Sequence, residues 1–213
     1  MKDGRASWTA QLVTFFRAIN DGLPESERVC HDPLAHEFLN WSWRLVGGSP
    51  VRSRVARRYV ETHSQAATYT YIIARTRFID ELLADQIERG LAQLVLMGAG
   101  FDTRAYRFGE LVGRVKVFEV DHPSTQELKV KRLERAFGAV PDHVVYVPVD
   151  FESELVEQKL LREGYDPGSR TFFIWEGVVS YLTPCAVDEM LASWPQTSAR
   201  AARSLLLTSR SLQ

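Results

Sequence analysis

The sequence predicts an α/β chain, a doubly wound and mostly parallel sheet preceded by a helical N-terminal segment. Three observations carry this. A short apolar run, Leu94 to Met97, breaks into Gly98-Ala99-Gly100. A second run, Val115 to Val120, ends in Asp121, roughly 20 residues beyond the first glycine. From residue 93 onward such runs alternate with segments of helical spacing, which right-handed crossovers assemble into a parallel sheet. The first run reads as a buried strand, apolar and bounded by glycine. Its glycines let the backbone turn sharply and approach a ligand with no Cβ in the way. An acid closing the next strand sits where a nucleotide-binding sheet places its partner for ribose hydroxyls. The pattern predicts an adenosine-containing cofactor, against the plainer reading of a tight turn with no ligand.

The elements follow in order. Residues 7–20 place apolar side chains at helical spacing behind a Ser or Thr cap. Asp32-Pro33 then opens a second helix through Leu34, Phe38 and Leu39, Asp as N-cap with Pro in the first helical position being a sound start. Gly47-Gly48-Ser49-Pro50 is a break. Residues 51–89 read as one or two helices, the last with Ile72, Ile73, Phe78, Ile79, Leu82, Leu83 and Ile87 on one face and Gly90 at its end. Strands are expected at 93–97, 115–120, 144–149, 171–175 and 204–208, with helices near 103–111, 124–137, 152–163 and 184–194. The expected organisation is a single domain over 1–213, with 1–60 a helical lid and 61–213 the cofactor-binding core.

Composition narrows the function. The chain has 213 residues, 45% of them hydrophobic and 25% charged, the balance of a globular domain with a sizeable core. Lys and Arg total 26 against 27 Asp and Glu, so no electrostatic footprint for nucleic acid is present. Arg52, Arg54, Arg57 and Arg58 cluster locally and read as a solvated helix face or the edge of a lid. Cys30 and Cys185 stand far apart without His or Cys at ligand spacing. That argues against a disulfide scaffold or metal site and predicts a reducing, cytoplasmic setting. No apolar run approaches the about 20 residues that span a membrane, and residues 1–5 carry no signal-peptide core.

The third glycine position discriminates between cofactors. A dinucleotide fingerprint wants G-x-G-x-x-G to seat a pyrophosphate. Here that position is Thr103, flanked by Asp102 and Arg104. An acid in the turn would repel a pyrophosphate, whereas S-adenosylmethionine has no phosphate and carries a sulfonium and an ammonium.

Five blocks of residues resemble the leucine carboxyl methyltransferase family, a Rossmann-like branch of the class I S-adenosylmethionine-dependent methyltransferases. They are Asp32-Pro33-Leu34-Ala35, Ala74-Arg75-Thr76-Arg77, Gly98 to Arg104, Phe118-Glu119-Val120-Asp121-His122-Pro123, and Trp175-Glu176-Gly177-Val178 with Tyr181-Leu182. They keep the family's order over residues 8–192. The resemblance implies that Arg75 holds the cofactor carboxylate, a bidentate match for a guanidinium. It implies that Gly98, in the turn with Gly100, contacts the methionine portion and that Asp121 accepts the ribose hydroxyls. Asp150 and Phe151 would bound the adenine, and Glu176 would face the cofactor ammonium or the acceptor pocket. Arg75 could instead be a surface residue, Asp150 could cap a helix starting near Glu152, and Tyr181 could be core packing or an acceptor contact. Glu119 reads as a structural partner for the turn, and Arg17 as reaching some carboxylate. His63, His122 and His143 read as solvent or loop histidines.

The implied reaction is in-line methyl transfer to an oxygen, foremost the carboxylate of a small molecule. A carboxylate is ionised at neutral pH and needs no general base, so alignment and desolvation would do the work. A phenol or alcohol would need one, for which Glu176 is the one candidate. Trp8, Phe15, Phe16, Trp41 and Trp43 are candidates for an apolar wall. The family's sheet has seven strands, and this sequence stops just after the fifth. The expectation is therefore a short form lacking the terminal strand hairpin. The alternative function is a cofactor-binding remnant, or a protomer completed by another chain, with self-association through the open strand edge.

Overall fold

A computed structural model describes residues 8–46, 49–63, 65–151, 153–176 and 203–207. In chain order the helices are α1 (Trp8–Asp21), α2 (Trp41–Arg44), α3 (Pro50–Thr62), α4 (Ala66–Glu88), α5 (Arg104–Arg107), α6 (Pro123–Phe137) and α7 (Val156–Arg162). The strands are β1 (Gln93–Met97), β2 (Lys116–Asp121), β3 (Val144–Pro148), β4 (Thr171–Glu176) and β5 (Arg203–Leu207). The chain divides into two compact units. One comprises 1–84, 101–107 and 129–139, and the other 85–100, 108–128 and 140–213.

The second unit holds the sheet, in the order β3-β2-β1-β4-β5 with every neighbouring pair parallel. All five residues of β1 are buried, as a central strand covered on both faces requires. Met97 pairs in register with Val120 on one side and Trp175 on the other, so the carboxyl ends of β1, β2 and β4 lie level. Val95, Met97, Phe118, Val120, Val147 and Trp175 pack with Tyr165 from beyond α7 into one apolar cluster. At the opposite end Gln93 ties β1 to β4, its Nε2 donating to Thr171 Oγ1 at 3.0 Å and to the Asp166 carbonyl at 2.7 Å.

The first unit is helical. Phe16 and Ile19 of α1 pack with Cys30, Val60, Tyr69, Ile72 and Ile73. Asn20 fastens the loop after α1, accepting from the Val29 and Cys30 N–H groups at 3.1 and 2.9 Å. Burial and the adjacent Asp32 carboxylate push the Cys30 thiol up to about 12.

Several elements differ from expectation. The strands fall within a residue or so of their predicted bounds, but the helix expected from Asp32-Pro33 is a single 3-10 turn, Ala35–Phe38. Asp32 does not cap it because its carboxylate is taken by side chains distant in sequence. The helix expected over 103–111 is α5 followed by a 3-10 turn, Gly109–Leu111, broken at Phe108, whose backbone is extended. The helix expected from 152 starts at Val156, because Ser153 donates to the Asp150 side chain and Glu154 accepts from the Asp150 N–H, local bonds that compete with a helical turn.

On α4 the buried residues are Tyr69, Ile72, Ile73, Arg75, Thr76, Ile79, Leu83 and Gln86, and Phe78 is 49% exposed. Trp8 and Trp41 are exposed while Phe16 is buried, and Phe15 packs on Trp43 with ring centroids 4.7 Å apart. The arginine group on α3 is largely a surface feature, with Arg54 and Arg57 both paired to Glu27 at 2.6 and 2.9 Å. The expected helix near 184–194, Tyr181, Cys185 and the Gly177-Val178 and Tyr181-Leu182 pairs lie outside the described residues.

Candidate cofactor site

The turn after β1 is built as a cradle. Gly98 and Gly100 take φ of 62° and 44°, left-handed values that cost an L side chain about 1 kcal/mol or more. The Ala99 N–H continues the ladder to the Val120 carbonyl at 3.0 Å, keeping the turn level with the end of β2. There Asp121 closes the strand, half-buried, and uses both carboxylate oxygens. Oδ2 accepts from the Gly100 N–H at 2.5 Å and Oδ1 from the His122 N–H at 2.6 Å. Asp121 thus locks the glycine turn as well as presenting an acceptor at the strand end.

The other candidates in this unit stand at neighbouring strand ends. Glu176 is the last residue of β4, half-buried. Asp150 follows β3, and its Oδ2 accepts from the Ser153 hydroxyl at 2.9 Å. Phe151 is partly buried against the sheet's apolar cluster. Glu119 is fully buried within β2. The order of the sheet reverses direction at β1, whose neighbours β2 and β4 run outward on opposite sides, and such a switch point is where open α/β sheets bind ligands. Gly98, Gly100, Asp121 and Glu176 gather there. Among the described residues no group of three or more His, Cys, Asp or Glu is placed to hold a metal ion, and no helix is long and apolar enough to cross a membrane.

In the helical unit, Arg75 is 8% exposed, its guanidinium 5.2 Å from the Tyr71 ring centroid. Arg77 lies on the opposite side of α4, exposed and paired with Glu81 at 2.7 Å.

Sequence reasoning did not anticipate a buried ion cluster in the same unit. Arg17 donates to Asp32 Oδ2 at 2.8 Å and to the Phe101 carbonyl at 2.7 Å. The Thr103 hydroxyl donates to Asp32 Oδ1 at 2.7 Å. Arg104 donates to Asp80 at 2.7 Å and Asp102 at 2.5 Å, and Arg107 to both oxygens of Asp80 at 2.6 Å. Burial opposes charge on Asp102, but Arg104, with Arg17 and Lys129, holds its carboxyl well below the usual range. This corrects the argument from repulsion. Asp102 is charged, and Arg104 pairs with that charge. Arg17, likewise, reaches the chain's own Asp32.

A parallel sheet ordered in this way, with a glycine turn after β1 and an acid closing β2, defines the Rossmann-like α/β class that methyltransferases share. Within that class the chain belongs to the leucine carboxyl methyltransferase family, which matches residues 10–194. It is 33% identical over 190 residues to "Putative S-adenosyl-L-methionine-dependent methyltransferase SCO7813" of Streptomyces coelicolor, covering 87% of this chain and 65% of that one. A protein of the same description from Frankia alni, FRAAL3718, is 36% identical over 177 residues, 81% of this chain and 58% of that one. Another from Bacillus subtilis, YktD, is 40% identical over 111 residues, 52% of this chain and 36% of that one. The chain thus spans between about a third and two thirds of the length of these relatives.

Proposed function

We propose that this protein is an S-adenosylmethionine-dependent O-methyltransferase acting on a small molecule, foremost on a carboxylate. The observation that carries the reading is the glycine turn after β1, held by Asp121, in a chain of this family. The residues fit the cofactor. The turn presents backbone with positive φ at both glycines, where no Cβ obstructs a close approach, and Asp121 is an acceptor suited to vicinal hydroxyls. Gly98 and Gly100 would meet the methionine portion, Asp121 the ribose, Asp150 and Phe151 the adenine, and Glu176 the ammonium. Arg75, on the family pattern, would take the cofactor carboxylate. When bound, the cofactor supplies an electrophilic methyl on a sulfonium.

The protein's part is positioning. A carboxylate acceptor arrives ionised, so the residues have no proton to remove; they hold the acceptor oxygen in line and keep water from it. For a hydroxyl acceptor Glu176 would act as the base, with Tyr181 a further candidate at the acceptor. Methyl transfer from radiolabelled cofactor to a panel of carboxylic acids and phenols tests the reading. A base-labile methyl ester is the expected product. Labelling of phenols alone, insensitive to alkali, would overturn the carboxylate assignment while leaving the methyltransferase reading intact.

A further inference from the structure

The loop that follows β3 is closed by its own side chains, all of them within the unit that holds the sheet. Val149 extends the ladder past the strand, its N–H donating to the Asp121 carbonyl at 2.9 Å, so Asp150 stands beside the end of β2. One residue then holds both polar groups of the Asp150 backbone. The Asp150 N–H donates to Glu154 Oε2 at 3.0 Å, and its carbonyl accepts from the Glu154 N–H at 2.9 Å. The Ser153 N–H donates to the same carbonyl at 3.1 Å, and the Ser153 hydroxyl donates to Asp150 Oδ2 at 2.9 Å. Glu154 is itself anchored, because its Oε1 accepts from the Lys159 ammonium on α7 at 2.8 Å. In turn α7 is seated on the sheet's apolar cluster through Leu160 and Val156.

These bonds do more than end the strand. The two from Glu154 clamp the backbone that carries Asp150 and Phe151, and the Ser153 hydroxyl holds the Asp150 carboxylate in one orientation. Lys159 and the Asp150 N–H keep the Glu154 carboxyl below its ordinary value, so at neutral pH Glu154 is ionised and is an acceptor only. Its two oxygens serve the loop on one side and α7 on the other. A ligand that needs one arrangement of Asp150 binds more weakly by the fraction of molecules outside it.

We infer that Glu154 and Ser153 are positioning residues for the adenine end of the cofactor site, Glu154 holding the Asp150 backbone and Ser153 its carboxylate, without touching the ligand. This rests on the methyltransferase reading above, with the Asp150 carboxylate receiving the adenine amino group. The test compares S-adenosylhomocysteine with S-inosylhomocysteine, which carries an oxygen in place of that amino group. Calorimetry gives both dissociation constants for wild type, Asp150→Ala, Glu154→Ala, Glu154→Gln and Ser153→Ala, and their ratio within each protein cancels general losses of stability. Wild type is expected to prefer the adenine ligand by about tenfold or more, the scale of one hydrogen bond to a charged group, and Asp150→Ala to lose the preference. Glu154→Ala and Ser153→Ala are expected to reduce it by about threefold or more, as two thirds of the molecules leave the competent arrangement. Glu154→Gln keeps an acceptor for the Asp150 N–H and is expected to stay near wild type. A wild-type preference in both alanine variants, with the two ligands weakened alike or not at all, would overturn the inference. So would a wild-type protein that binds both ligands equally, although cofactor binding itself would stand. A wild-type protein that binds no S-adenosylhomocysteine would overturn the parent reading.

Discussion

Replacing Asp80 with alanine strikes the ion cluster where it bears most charge. Asp80 accepts from Arg104 Nε at 2.7 Å and from Arg107 Nη2 at 2.6 Å on each oxygen. The side chains of Arg104 and Arg107 are 1% and 7% exposed, so neither can recover its loss from water. Breaking a buried pair by removing one partner costs about 3–5 kcal/mol. Arg104 keeps Asp102, and Arg107 keeps its bond to the Thr103 hydroxyl and lies 4.0 Å from Asp32. The expected cost is therefore about 3–4 kcal/mol, or a fall in thermal midpoint of about 6–16 °C for a chain of this size. Guanidinium unfolding followed by circular dichroism measures it. Glu81→Ala is the internal contrast, since it breaks the Arg77–Glu81 pair, 58% and 61% exposed, and should cost less than about 0.5 kcal/mol. A cost for Asp80→Ala below about 1 kcal/mol, the range of surface pairs, would refute the view that this cluster holds the unit together.

Asp121→Ala should weaken S-adenosylhomocysteine by about 1.5–3 kcal/mol in calorimetric titration, since it removes both the acceptor and the bond to Gly100; an unchanged dissociation constant would make the acid purely structural. Arg75→Ala should weaken the cofactor comparably and Arg77→Ala hardly at all, and the reverse order would exchange their roles. Because the folded-state pKa of Asp102 is depressed, its contribution to stability is present above the ordinary carboxylate range and lost as pH falls below about 4. Denaturation midpoints followed from neutral pH into that range should show this loss in wild type and a smaller one in Asp102→Asn. The Cys30 thiol, buried and raised to about 12, should resist alkylation at pH 8 in the native protein, as mass mapping of its peptide would report; rapid native labelling would contradict that burial.

The sheet and its glycine turn were legible because their signals are local. Leu94–Met97 is a continuous apolar run ending in glycine, and Asp121 closes the next run directly. The Asp32 region was not legible, because an Asp-Pro start is equally local and points to a helix cap. What decides the conformation there are partners 15 and 71 residues away, Arg17 and Thr103. Asp102 and Arg104 stood in the recognised blocks, yet adjacency to the glycines invited a reading in terms of the ligand, whereas they bond each other and α4. One sequence signal could have exposed the cluster. Arg17 interrupts the apolar face of α1 among Phe16, Ala18 and Ile19, and an arginine buried there requires a buried acid.

The central claim is that the glycine turn and Asp121 form a site for S-adenosylmethionine. Calorimetric titration of the purified protein with S-adenosylmethionine, S-adenosylhomocysteine and NAD tests it most directly. Saturable binding of both sulfur cofactors at one site per chain, abolished or sharply weakened in Asp121→Ala, with no heat from NAD, is the predicted result. Binding of NAD, or silence with both sulfur cofactors, would contradict it.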